Sequence, residues 1–92
     1  MKMYTKDEII KHLTDELADE LEGIKNYEDV YNSLKAMGLD AEADVIEDIA
    51  GDEYEHACAL WDMLKKHGAD LSGHPTIHKD WECVKRIYNI RY

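Results

Sequence analysis

The stretch TKDEIIKHLTDELADELEGIKNYEDVYNSLKAM, residues 5–37, decides the fold. Thr5 followed three residues later by Glu8, with Ile9 and Ile10 next, is the signature of a capping box. From there Ile10, Leu13, Leu17, Glu20, Ile24, Tyr27, Tyr31 and Leu34 recur at alternating intervals of three and four, which is the seam of a bundle helix. Gly38 is the first residue suited to stop it. A helix from Lys6 to Met37, rising about 1.5 Å per residue, is a rod of about 48 Å.

Beyond the glycine, Asp40 is expected to cap a second helix running through Val45 to His67, with Gly68 as its stop. Only Gly38 and Leu39 separate the two rods, so they must fold back on each other as an antiparallel hairpin. Two breakers, Gly73 and Pro75, follow, and then Ile77, Trp81, Val84 and Tyr88 recur at helical spacing. With caps included, the expected helices cover 5–38, 40–68 and 75–90. Nothing alternates with the period of a strand, so the fold class is all-α: an antiparallel helical hairpin plus a short C-terminal helix, in one domain over 1–92.

Composition narrows the roles available. The 92 residues hold 11 Lys+Arg against 21 Asp+Glu, a net charge of -10, which repels nucleic acid and anionic lipid and favours cations. No apolar run approaches the roughly 20 residues of a membrane span. Two cysteines, Cys58 and Cys83, are too few for a disulfide framework, and no hydrophobic export segment precedes the first charges, so the expected compartment is the cytoplasm. Thr76–Tyr92 carries Lys79, Lys85, Arg86 and Arg91 against Asp80 and Glu82, so this segment is basic. It is expected to dock on the acidic hairpin of its own chain or of a neighbouring copy. A chain this short buries only about 60–65% of its unfolded surface, so a metal or a second chain is its natural supplement.

The second helix has a comparable seam through Ile46, Ile49, Glu53, His56, Leu60 and Met63, widened by Ala50, Ala57 and Leu64. Three ionisable groups, Glu20, Glu53 and His56, therefore interrupt two apolar stripes. An ionised carboxylate in a dry seam costs several kcal/mol unless it is paired or holds a cation. Folding about Leu39 sets Glu20 at about the depth of Glu53 and His56, and the three-residue spacing of the latter two puts them on one helical face. A Glu on one helix and a Glu-x-x-His on the next make half of a carboxylate-bridged di-iron set; four carboxylates and two imidazoles require a second copy. This donor set suits Fe or Mn, and by ligand chemistry zinc or calcium also fit. Tyr27, on the same seam as Glu20, is a core aromatic whose hydroxyl is also within reach of a ligand. His67, His74, His78 and Cys83 match no standard zinc spacing. Cys58 is expected to be a small buried apolar residue.

Asp-Glu-Leu-Glu at 19–22 with Tyr27, and Asp-Glu-Tyr-Glu-His-Ala at 52–57, resemble the paired motifs of the rubrerythrin and ferritin-like superfamily, and in size and layout the short two-helix encapsulated ferritins. The likeness covers about residues 13–66. It implies a ferroxidase whose cofactor is di-iron, with Glu20, Glu53 and His56 as metal ligands, Tyr27 as a hydrogen-bond partner in the catalytic set, and Asp19 and Glu22 along the path of approaching iron. It also implies a ferritin-like hairpin that dimerises into a four-helix bundle, a homo-oligomer of at least a dimer and in the family a ring of dimers, working inside an encapsulin shell. No hydrophobic cargo-loading peptide is recognisable in these residues, and the segment bearing Trp81 and Cys83 departs from the family pattern. Two other readings remain open at this level: a metal-stabilised structural hairpin, and a peroxide-reducing enzyme of the rubrerythrin kind fed electrons by another protein, since no Cys-x-x-Cys relay is present.

Overall fold

A computed structural model describes residues 1–71 and 73–88. It contains α1 (Lys6–Ala36), α2 (Asp40–Lys66) and α3 (Ile77–Ile87), an antiparallel hairpin with a short third helix laid against it. The molecule extends 49 × 31 × 21 Å, its long dimension set by the two hairpin helices. No helix among the described residues is long and apolar enough to cross a membrane.

The capping box forms as the sequence predicts: Thr5 Oγ1 accepts from the Glu8 amide at 3.1 Å, and Glu8 Oε1 accepts from the Thr5 amide at 2.9 Å. Those bonds favour the ionised carboxylate and hold the Glu8 carboxyl below its ordinary range. At the other end, Gly38 takes φ 76, a left-handed conformation that suits a residue without Cβ. The start of α2 differs from expectation. Leu39, not Asp40, is the N-cap and makes no side-chain cap bond; Asp40 is already helical, and its carboxylate meets Lys35 Nζ across the turn at 3.2 Å. The third helix also begins later than expected, at Ile77 rather than 75, because His74 supplies its first turn with an acceptor. His74 Nδ1 receives the amides of Thr76 and Ile77, each at 3.3 Å. The expected residues 89 and 90 of this helix lie outside the described residues.

The core gathers between the hairpin and α3. Leu17, Leu21 and Ile24 of α1, Tyr54, Ala57, Cys58 and Leu64 of α2, Leu71, and Ile77, Trp81 and Val84 of α3 are all buried. Cys58 is thus the small buried residue expected. Aromatic rings join α2 to α3 in a ladder: Trp61 stacks on Trp81 at 4.5 Å between centroids, Trp81 on Tyr54 at 6.4 Å, and Tyr54 on Tyr88 at 4.4 Å. Such pairs contribute about 0.5–1.5 kcal/mol each beyond their buried area. The third segment docks on its own chain, but with the reverse of the anticipated polarity: Lys25 of α1 donates to Asp80 of α3 at 2.8 Å, so a base on the acidic hairpin holds an acid on the basic segment. That carboxylate raises the Lys25 pKa.

Candidate metal centre

α3 occupies one side of the hairpin, and the seam expected from sequence divides: Leu17 and Ile24 of α1 and Ala50, Ala57 and Leu64 of α2 are buried, whereas other members of the α2 line are not. On α2 the buried line is Ala43, Ala50, Tyr54, Ala57 and Leu64, whereas Ile49 and Met63 keep 38% and 41% of their surface exposed. Ile49, His56 and Met63 therefore border this chain's core rather than fill it, while Leu60 packs against it. Glu20 keeps its place on the buried stripe of α1, between Leu17 and Ile24; the reading of a dry seam is corrected for His56, which stands at the open edge, with Glu53 partly buried between them. The physical reason is the third helix. Trp81 of α3 stacks on Tyr54 and Trp61 and so covers the neighbouring stripe of α2.

The trio nevertheless converges. Glu20, Glu53 and His56 each offer one ligand atom, and these atoms all lie within 4.8 Å of one another. Helix geometry explains this: Glu53 and His56 stand one turn apart on α2, and the two-residue link sets the register that brings α1's Glu20 opposite them. His56 Nδ1 stands 4.0 Å from Glu20 Oε1. The side chain of Glu20 is 12% exposed and that of His56 is 62% exposed, so the cluster grades from the edge of the core to solvent.

Glu20 is the electrostatic centre of the group. Its Oε2 is buried and has no hydrogen-bond partner. Burial, then a hydrogen bond shared with Glu53 and the charges of Glu53 and Glu16, push its pKa up to about 7. Crowded carboxylates of this kind hold either a proton or a cation between them. The donor set passes the test for a metal: carboxylate oxygens and an imidazole nitrogen within bridging reach, one buried oxygen without a partner, and an accessible side through His56. A closed zinc site would demand a fourth protein ligand, which this chain's trio does not include.

The remaining expected residues are placed as follows. Asp19 and Glu22 are exposed on α1 beside Glu20, where acidic groups can attract cations. Tyr27 is half-buried, and its hydroxyl makes no hydrogen bond to Glu20; it lines a cleft nearer the hairpin turn, with Tyr31 and Tyr88. Glu16 is a contributor that the sequence reading passed over. It lies one turn before Glu20 and raises the latter's pKa, and its i, i+4 spacing was the available signal. His67 stands at the C-cap of α2 and His74 caps α3, so both histidines act on helix ends.

The fold and the cluster together define an α-helical hairpin protein with a carboxylate–imidazole group able to hold a metal ion. No protein-family model, no curated protein and no solved structure matches this chain.

Proposed function

We propose that this chain is one half of a ferroxidase, with Fe(II) as its substrate, completed when a second copy packs on the open side of the hairpin. The observation that supports it most is the buried, unpartnered Oε2 of Glu20 beside Glu53 and His56. Two copies bring four carboxylates to two Fe(II) ions, so the ligand charge offsets the metal charge, with neutral imidazoles limiting the excess. Each ion gives one electron to dioxygen or peroxide. Glu20, set at the edge of the core, fixes one carboxylate and gives up the proton that an incoming cation must displace; Glu53 sets a second carboxylate beside it; His56, more exposed, is the group through which the site communicates with solvent. Asp19, Glu22 and Glu16 raise the local concentration of cations, an effect that salt screens. Tyr27 is assigned no role in the reaction here.

The apolar surface flanking the cluster supports the same assembly. Ile49 and Met63 lie on the helical face that carries Glu53 and His56, and Ile9 is exposed near Met63 on α1. Side chains of this kind beside a partly buried carboxylate form a natural contact for a two-fold related copy.

Anaerobic Fe(II) loading followed by mixing with dioxygen or peroxide, with the solution mass measured by sedimentation, tests the proposal. A dimer or larger that takes up two irons per pair of chains and turns over with dioxygen supports it. A response to peroxide alone points to a peroxide-reducing enzyme, and metal binding that only raises the melting temperature points to a structural clip. A stable monomer holding two irons per chain overturns the shared site.

A further inference from the structure

Toward the turn end of the hairpin, away from the Glu20 cluster, α1, α2 and the last turn of α3 enclose a cleft of about 330 Å³. Its walls carry three phenol rings, Tyr27, Tyr31 and Tyr88, and two carboxylates, Glu28 and Glu47; among the described residues no Lys, Arg or His lines it. Tyr27 and Tyr31 are one turn apart on the same face of α1, so their rings flank one opening. Ala50 and Ile46 of α2 give it a short, apolar floor. Ile87 and Tyr88 bring in the C-terminal end of α3, the negative end of the helix dipole. The nearby base Lys35, one turn beyond Tyr31, is engaged with Asp40 at 3.2 Å.

The polar features that the described residues give this cleft share one sign. Aromatic faces, carboxylates and the negative helix end all favour a cation, and the apolar floor favours one with an alkyl body. A bare metal ion is poorly served, because Glu28 and Glu47 belong to no group of three ligating side chains among the described residues. Among the described lining residues none offers an anion a positive partner. The volume lies at the lower end of the range for small-ligand sites, enough for an ion of modest size.

We propose that this cleft binds a small alkylammonium ion, a quaternary ammonium or a protonated alkylamine, held by the rings of Tyr27, Tyr31 and Tyr88 and the carboxylates of Glu28 and Glu47. The site is separate from the metal cluster and does not depend on the ferroxidase reading. Calorimetric titration of the full chain with choline, and with its uncharged isostere 3,3-dimethylbutan-1-ol, tests it, with putrescine as the protonated-amine probe. At least one cation should bind about tenfold or more tighter than the neutral isostere, as ring and carboxylate attraction requires. The N-methyl protons of choline, if it is the better ligand, should shift upfield on binding. Tyr31→Leu should cost about tenfold and the exposed Glu47→Gln a smaller factor, with helicity checked by circular dichroism. Glu53→Ala should leave the affinity unchanged. Failure of both cations to exceed the isostere overturns the proposal, as does undiminished binding by both Tyr31→Leu and Glu47→Gln, or loss of binding in Glu53→Ala.

Discussion

The two sides of the hairpin are built from the same two helices, yet they are finished to different degrees. On the side of α3, Leu17, Leu21 and Ile24 meet Tyr54, Ala57 and Trp81 with almost no surface left exposed, and an aromatic ladder continues the contact to Tyr88. On the other side, Ile49, Met63 and Ile9 remain substantially exposed around two carboxylates and an imidazole. An amphipathic helix normally buries one stripe. Here α2 carries a second apolar line, interrupted by Glu53 and His56, and one chain covers only the first. The difference separates the two sides: the closed side holds the fold, and the open side carries a group able to hold a metal ion beside exposed apolar side chains.

Removing Trp81 is the hardest blow to the closed side. Trp81→Ala takes out the middle of the ladder, and truncation of a large buried aromatic costs about 3–5 kcal/mol, a large part of the stability of a domain this size. Urea unfolding should show it, whereas metal-free His56→Ala should move the midpoint by no more than about 0.5 kcal/mol, as exposed positions do. If the two variants unfold alike, the two sides are not energetically distinct.

On the open side the corresponding loss is in metal chemistry. Loss of an outer partner of a metal ligand already costs about 10–100-fold, so Glu53→Ala and His56→Ala should each lower iron affinity and oxidation by at least about 100-fold with helicity retained. Two fully active variants would place the reaction elsewhere.

A pH series sharpens the contrast through Glu20. Its folded pKa, about 7, lies above the ordinary value of 4.5, so the folded chain binds the extra proton. The metal-free stability contributed by this group is complete below about pH 4.5 and is lost as pH rises through 7. Metal binding runs the other way: affinity should increase as pH approaches 7, with proton release that fades above it. Denaturation midpoints for the metal-free chain and Glu20→Gln across this window give the comparison, and identical slopes would remove Glu20 from the titration.

The smallest effect belongs to the polar tie between α1 and α3. Asp80→Asn should destabilise by no more than about 1 kcal/mol, because Lys25 is substantially exposed and water screens the pair. Hydrogen exchange of α3 amides should report it; a loss comparable to Trp81→Ala would show that the ion pair, rather than the ladder, anchors the third helix.

Sequence alone determined the helices, the hairpin and the convergence of Glu20, Glu53 and His56. Capping residues, glycines and three–four spacing are local, and a two-residue link leaves only one sense of return. Asp40 shows the limit even there: its residue type fits a cap, but the tight turn put Leu39 at that position and gave Asp40 to Lys35. Which stripe of α2 faces inward was decided only by tertiary packing. Ile49–Met63 and Ala50–Leu64 are apolar lines scarcely a residue apart around the helix, and the choice between them fell to the indole of Trp81, far along the chain, which stacks on Trp61 and Tyr54. Burial favours the arrangement that removes most apolar area from water, and that sum exists only once all three helices have met.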